Sequence, residues 1–313
     1  MKFGVREICD VVFKAKATVK IGNTTFQKGQ PVLYIDTAKT SNLEAAATTV
    51  YATGGRGNTR LIAWEGEKTL TFTVEDALLS PMGFAMLSGA GLFDAKKDQK
   101  SICVHGTTYQ LADAETGVID ITEALDGAEL DTTKPVFIMT TEQDGSLSIF
   151  QKEAYTYANG VFTPKATKVD EAPDEDATED EIAAYDAWMA VPKNVTVFVD
   201  YYMTKTEGAM QFEIDGENFA GYYYVEAATL WRRQDNGKDM PAELIFPNVK
   251  IQSNFTFAMA STGDPSTFTF TMDAMPGYTV YDSTKKVLCA IQLIADTADD
   301  LTGAVDSVTG TKY

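Results

Sequence analysis

The sequence has few of the residues on which most enzymes and metal sites depend. Its 313 residues include one histidine, His105, and three cysteines, Cys9, Cys103 and Cys289. A Ser-His-Asp or Cys-His site would have to use His105, which we interpret as an exposed histidine beside a turn, and no G-x-S-x-G sequence accompanies it. The cysteines lack C-x-x-C spacing, and no dinucleotide fingerprint or Walker sequence is present. We therefore predict that the protein is not an enzyme and has no catalytic, metal or cofactor-binding residues.

Long apolar runs and paired cysteines are also missing. No stretch approaches the roughly 18 apolar residues that a membrane-spanning helix needs. The N-terminal segment carries charges at Lys2, Arg6, Glu7 and Asp10, so we expect neither a signal peptide nor a membrane anchor there. An odd number of scattered cysteines is typical of a reducing cytosol rather than of a disulfide-stabilised protein.

Basic residues are scarce compared with acidic ones. Lys and Arg total 26 against 45 Asp and Glu, which gives a formal net charge of −19. This balance argues against a surface that attracts DNA or anionic lipid. It favours either a solubility device or a surface that nucleic acid passes without binding. The acids are densest in residues 170–187, which contain no basic residue. We predict a solvated linker or insertion there, with a short helix at residues 179–188 and no EF-hand pattern.

Strand patterns are what the sequence does contain. In residues 70–92, Leu70, Phe72 and Val74 alternate with threonines, which is typical of a half-buried strand. A similar alternation recurs in residues 267–277. The two segments are either neighbouring strands of one sheet or a chance repetition in a β-rich chain.

A short amphipathic helix is predicted directly after the first of these strands. Thr73 with Asp76 approximates a capping box, and Ser80-Pro81 offers a second N-cap with proline at the first helical position. We expect Gly89 and Gly91 to end the segment in left-handed conformations. The residues predicted to form its buried face are Leu78, Met82, Ala85 and Met86.

Turn signals divide much of the remaining chain into further strands. Residues 42–52 are ambiguous between helix and strand but favour a strand. The glycine-rich loop at residues 54–58 is interpreted as a mobile loop that reaches a neighbouring subunit rather than as a phosphate site. Hairpins are predicted about Gly22-Asn23, Gly106, Asp144-Gly145 and Asn159-Gly160. The sequence as a whole predicts a mainly β protein.

Two segments of the chain resemble a known family. Residues 64–91, WEGEKTLTFTVEDALLSPMGFAMLSGAG, resemble the central segment of the tail tube (major tail) proteins of bacteriophages with long tails. Residues 230–274 are similar in style to the later strands of those proteins, with an arginine and a turn, a proline-containing strand, a Gly-Asp-Pro turn and an F-x-F strand. The matching positions are Arg232 or Arg233, residues 245–251, Gly263-Asp264-Pro265, and Phe268 with Phe270.

The resemblance implies a β-sandwich or barrel with a flanking short α-helix, and a structural function in the virion tail. Six copies would join their sheets into a ring, and stacked rings would form an acidic conduit through which DNA passes during genome ejection without specific binding. The N-terminal arm and residues 54–57 are candidates for contacts between rings. The implied partners are further copies of the chain, the tail sheath, the tape measure and the baseplate or terminator proteins, with assembly in the host cytoplasm.

The resemblance also organises the chain into segments. Residues 1–155 would be the N-terminal part of the tube domain with arm, loop and helix, and residues 156–194 an acidic insertion or linker. Residues 195–296 would complete the tube domain, and residues 297–313 would form a flexible tail.

Two other functions remain open from the sequence. A capsid decoration or head-fibre protein would also be acidic and β-rich, but it would form trimers or bind capsids. A carbohydrate-binding or glycosidase-like β-protein is the second alternative, which binding or turnover of glycans would reveal.

Overall fold

The computed structural model describes residues 2–22, 24–89, 91–141, 146–150, 152–174, 176–256, 259, 261–262 and 266–295. The chain divides into two compact units: unit 1 contains Met1–Leu92 and Phe212–Tyr313, and unit 2 contains Phe93–Gln211. The boundaries predicted at residues 155, 194 and 296 describe segments of the chain and not these compact units. The roles predicted for those segments stay predictions, and the predicted tail at residues 297–313 lies outside the described residues.

Strands make up most of the secondary structure, which confirms the predicted mainly β class with short helices. The helices are α1 (Pro81–Ser88), α2 (Thr122–Leu125) and α3 (Glu179–Met189), with a 3-10 turn at Lys152–Ala154. The strands are β1 (Phe3–Val5), β2 (Asp10–Ala15), β3 (Val19–Ile21), β4 (Thr24–Phe26), β5 (Pro31–Ile35), β6 (Ala38–Gly54), β7 (Thr59–Asp76), β8 (Gly91–Asp94), β9 (Ile102–Leu111), β10 (Ile119–Asp120), β11 (Glu129–Leu130), β12 (Phe137–Thr141), β13 (Leu147–Phe150), β14 (Tyr155–Ala158), β15 (Val161–Pro164), β16 (Thr196–Lys205), β17 (Met210–Glu213), β18 (Tyr222–Arg233), β19 (Asp239–Ile251), β20 (Phe268–Ala274) and β21 (Ala290–Leu293).

Unit 1 is built on one large antiparallel sheet. Within the described residues it has nine strands in the order β5-β2-β18-β19-β20-β7-β6, with β1 also paired to β18 and β21 to β19. The edge strands β5 and β6 follow each other in the chain with only Asp36 and Thr37 between them, so the sheet must curl until its edges approach. Phe13 on β2 accordingly contacts Phe270 on β20, with ring centroids 5.9 Å apart. The result is sandwich-like, and no ladder among the described residues closes it into a barrel.

The two threonine-rich strands are neighbours in this sheet, which decides between the two alternatives that the sequence left open. β20 pairs antiparallel with β7, from Phe268 opposite Asp76 to Asp273 opposite Thr71. Their apolar residues face the core, where Phe72 stacks on Phe246 of β19 with centroids 4.9 Å apart. The alternation of apolar residues with threonines therefore corresponds to burial of one face of each strand.

Helix α1 begins and ends where Ser80-Pro81 and Gly89 predicted. The Ser80 hydroxyl accepts a hydrogen bond from the Gly83 amide at 2.9 Å, and Gly89 has φ 71°. The predicted capping box with Asp76 was wrong, because Asp76 is the last residue of β7 and its carboxylate accepts from the Thr37 hydroxyl. The prediction that Gly91 helps to end the helix was also wrong, because strand β8 begins there.

The amphipathic pattern predicted for this helix was wrong as well. Residues 83–88 are all buried, so the helix is covered on every side and not along one face only. Leu78 lies before the helix and is exposed. Phe84 makes edge-to-face contacts with Phe212 and Phe255, at centroid distances of 5.1 and 5.3 Å. These rings cover the Phe84 side of the helix, which was not part of the predicted buried face.

Unit 2 has its own sheets and core. Within its described residues, β16 pairs with β9 on one side and with β11 and β12 on the other, β13 follows β12, and β10-β15-β14 form a separate three-stranded sheet. The core contains Ala112, Ile119, Ile121, Leu125, Leu130, Val136, Ile138, Tyr155, Phe162, Val197, Val199 and Tyr201. The Asn159-Gly160 hairpin is confirmed, with φ 48° and 88° at the turn, and the predicted acidic helix is α3, with a capping box between Thr178 and Glu181.

The hairpin predicted about Gly106 was wrong, because residues 102–111 form the single strand β9. A Cβ atom at Gly106 would lie 2.8 to 3.0 Å from side-chain atoms of Tyr201 on β16. This glycine is therefore needed for a close approach between strands and does not make a turn. The other predicted hairpins join β3 to β4 and β12 to β13, although Asn23 and residues 142–145 lie outside the described residues.

Candidate functional site

The most prominent surface feature of unit 1 is the hairpin formed by β6 and β7. These strands have 17 and 18 residues, and the glycine-rich loop predicted to reach a neighbouring subunit forms the turn at their tip. Gly55, Gly57 and Asn58 have φ values of 78°, 89° and 49°, which a tight reversal requires. Residues 42–52, ambiguous in the sequence, belong to β6, so the strand interpretation is confirmed.

The outer part of this hairpin is uncovered on both faces. Residues 44–69, which we call the hairpin arm, are exposed throughout except for half-buried Ala52 and Gly54. At the usual rise per residue, ten residues of each strand extend about 33 Å. An isolated two-stranded hairpin is marginally stable in water. The arm therefore has the form of a segment that another molecule covers.

Several side chains on the hairpin arm are apolar or aromatic despite their exposure. Leu61 is 65% exposed, and Val50, Ile62 and Trp64 are each more than half exposed. The Arg60 guanidinium lies 4.1 Å from the centroid of the Tyr51 ring. Arginine and large aromatic residues are enriched at the centres of protein interfaces, so the composition of the arm matches its exposure.

β-Bulges shape the hairpin arm. The pairing of β6 with β7 shifts register between Ala47 and Thr49 and again between Ala52 and Thr53. At the first shift the Thr48 hydroxyl accepts a hydrogen bond from the Glu67 amide at 3.0 Å, and a Cβ atom at Gly66 would lie 2.5 Å from that hydroxyl. Bulges bend and twist a hairpin, so these positions set the direction in which the arm leaves the sheet.

The N-terminal arm, the other candidate for contacts between rings, is partly built into the sheet. β1 pairs with β18, with Phe3 opposite Arg233. Together they line a cleft of about 720 Å³. Two of its arginines are held by local partners: Arg232 makes two 2.6 Å bonds to Asp239, and Arg233 binds Asp235. The arginines that carry the family resemblance therefore brace the turn at residues 234–238, and a contact of this arm with another ring stays a prediction.

Of the residues considered for catalysis or metal binding, Cys103 and His105 lie on β9, whereas Cys9 and Cys289 lie at the core of unit 1. Among the described residues, no group of three or more His, Cys, Asp or Glu side chains could hold a metal ion. His105 lies on β9, where its Nε2 atom is 3.1 Å from Asp200 on the neighbouring strand, so its predicted place beside a turn was wrong. Burial raises the pKa of Cys9, and raises that of Cys289 to about 11. Both thiols are therefore protonated and poorly nucleophilic at neutral pH.

The acidic segment is attached to unit 2 at one end of its helix. Trp188, the buried residue of α3, lies beneath the Lys193 ammonium, which is 3.9 Å from the ring centroid and donates to the Trp188 carbonyl. The acids of α3 are exposed. Of the helices in the described ranges, none is long and apolar enough to cross a membrane.

Taken together, the described residues form a mainly β protein with one uncovered hairpin arm. The chain belongs to the YomU/Tube protein family, whose sequence model matches residues 4–287. That family name fits phage tail tube proteins, so the resemblance stated from the sequence is confirmed. Membership suggests a tube-like structural role in a virion and a non-enzymatic one. No curated protein matches the chain.

Proposed function

We propose that this protein is the tail tube subunit of a phage or a related contractile device, and that it assembles into stacked hexameric rings. The rings form an acidic conduit through which the genome is ejected. Its partners are other copies of itself, together with the tail sheath, tape measure and baseplate or terminator proteins. The exposed hairpin arm is the observation that carries this proposal.

The hairpin arm supports stacking because it presents apolar surface without a cover. Exposed apolar area and unpaired strand edges favour association with another chain. In the proposal, each arm lies against a subunit of the adjacent ring, and its tip at residues 54–58 makes the contact predicted from the sequence. Six identical subunits related by rotation close a ring without leaving an edge unsatisfied.

The charge of the chain supports the proposed passage of DNA. A formal charge of −19 per subunit gives each ring a net negative charge that repels DNA phosphates, whereas each lysine or arginine contact with phosphate would add affinity and slow the movement of DNA. An anion-repelling wall therefore suits a conduit that DNA must leave rapidly.

Electron microscopy of the purified protein tests the proposal. The matched variant lacks residues 46–69 and joins Ala45 to Leu70, which are cross-strand partners, through an Asn-Gly turn. We expect hollow tubes with six-fold rings from the parent chain, and folded subunits or single rings without tubes from the shortened one. Monodisperse monomers of the parent chain would refute the proposal, and trimers would favour the capsid-decoration alternative.

A further inference from the structure

Strand β9 forms an edge of the larger sheet in unit 2. It pairs with β16 over its whole length, from Ile102 opposite Lys205 to Leu111 opposite Thr196, without a shift in register. Within the described residues no strand pairs with its other side. β9 therefore offers ten residues of straight, regular strand to a partner.

The backbone groups available on that edge follow from the geometry of antiparallel pairs. The Ala112 amide, directly after β9, donates to the Val195 carbonyl at 2.9 Å, so Ala112 points its backbone toward β16. Alternate residues of an antiparallel strand point their N–H and C=O groups to opposite sides. The residues that point outward are then Cys103, His105, Thr107, Tyr109 and Leu111.

This edge has none of the features that usually prevent unwanted strand pairing. Natural edge strands are blunted by lysine and other charges, by proline or by bulges. β9 reads ICVHGTTYQL and contains no Lys, Arg, Asp, Glu or Pro, although 23% of the chain is charged. A regular and unprotected edge of this length is a hazard in a free subunit, but it suits a strand that is covered after assembly.

The opposite edge of the same sheet is a suitable partner. Within the described part of the chain the row β9-β16-β12-β13 ends in β13, whose sequence LSIF is also uncharged. All three pairs in the row are antiparallel, so β13 runs opposite to β9. When copies are placed side by side by rotation, β13 of one copy therefore meets β9 of the next in the antiparallel sense.

Side chains on the outward face of the sheet fit this arrangement. Tyr109, Phe198, Met139 and Ile149 form one cross-strand row, and the Tyr109 and Phe198 rings lie 5.1 Å apart. The two ends of the row, Tyr109 and Ile149, are 71% and 58% exposed. Joining the edges places such apolar residues on the same face as cross-strand neighbours, which stabilises paired strands.

We propose that β13 of one copy adds to the edge of β9 in the next copy, so that the unit 2 sheets of one ring form a continuous antiparallel belt. The inference rests on the proposed ring assembly and adds a second subunit contact to it, outside unit 1. It assigns unit 2 a function in ring cohesion.

Disulfide cross-linking in assembled tubes tests this contact. Ile149→Cys lies on the same face as the outward residues of β9, so it is combined with native Cys103 or, in a Cys103→Ser background, with His105→Cys, Thr107→Cys, Tyr109→Cys or Leu111→Cys. This scan covers the possible registers. The control places the new cysteine at Thr163→Cys, an exposed position of β15 in the other sheet of unit 2.

We expect mild oxidation of tubes already seen by microscopy to produce a ladder of multimers up to hexamers for at least one pair, and no ladder for the control. Tubes that form normally but give no ladder with any pair would overturn the inference and leave the proposed function standing. A cross-linked dimer without larger products would also overturn it, because that product indicates a two-fold contact. Failure of every variant and of the parent chain to form tubes would refute the proposed function, and this inference with it.

Discussion

The hairpin arm allows a matched comparison of two leucines. Leu61 lies on the arm and Leu78 lies outside it, and their exposed fractions are 65% and 66%. Leu61→Ala and Leu78→Ala therefore remove the same atoms from equally exposed positions. If the arm is covered during assembly, only the first substitution should weaken assembly.

The size of the expected effect follows from the buried area. Truncation of leucine to alanine removes about three methylene equivalents, worth about 0.8 kcal/mol each on full burial. Covering a side chain that is two-thirds exposed should therefore contribute about 1.5 kcal/mol, which corresponds to a roughly tenfold change in an association constant. Folding stability should change by less than about 0.5 kcal/mol for either variant, since both positions are on the surface.

The critical concentration for tube formation, measured by pelleting, distinguishes these outcomes. We expect a roughly tenfold increase for Leu61→Ala, a larger one for Trp64→Ala because aromatic residues dominate interface energies, and none for Leu78→Ala. Thermal unfolding of the three variants should coincide with that of the parent chain. Equal critical concentrations for Leu61→Ala and Leu78→Ala would show that the arm is not covered in the assembly.

Three further predictions concern the fold. Gly106→Ala should lower the stability of unit 2 by about 1–3 kcal/mol, because the new methyl group overlaps the Tyr201 ring; an unchanged melting temperature would contradict the close packing. Ser80→Ala should cost about 0.5–2 kcal/mol by removing the α1 cap, and Ser80→Asp, which keeps a cap acceptor, should restore most of it. Burial raises the pKa of Tyr155 from 10.0 to about 12, so the unfolded chain loses this proton first and stability should fall as pH rises between those values. Tyr155→Phe should lose less stability over that range, and identical pH profiles would exclude the effect.

Local patterns in the sequence were sufficient to predict those elements whose stabilising contacts are also local. The alternation of Leu70, Phe72 and Val74 predicted a strand, and Ser80-Pro81 predicted the start of α1. The turn at Asn159-Gly160 was also predictable, because its left-handed conformations depend on the residues of the turn itself. In each case neighbours in sequence supply the contacts that decide the conformation.

Elements whose environment comes from distant residues were not predictable in this way. Gly106 carried a turn signal, yet its role depends on the Tyr201 ring, which lies 95 positions later in the sequence. The one-sided burial predicted for α1 failed because Phe212 and Phe255 cover its second side. A glycine or an apolar residue in a sequence has the same local signal whether its neighbour is solvent or a distant ring.

The hairpin arm shows most clearly that exposure cannot be predicted from local sequence. The sequence located the loop at residues 54–58 and predicted that it reaches a neighbouring subunit. It did not show that the flanking strands are uncovered, because exposed Leu61 and Trp64 resemble core residues of an ordinary strand. The extent of unit 2 was likewise not predictable from the sequence, because its boundaries depend on which strands pair.

By itself the sequence determined the acidic charge, the mainly β composition, the Ser80 cap, the Asn159-Gly160 turn, and the family to which the chain belongs. Only the tertiary structure decided which apolar residues are buried, which strand edges remain free, and how two separate segments join into unit 1. The physical reason is that burial and edge pairing are properties of contacts between residues far apart in the chain, whereas charge, capping and turn formation depend on each residue and its nearest neighbours.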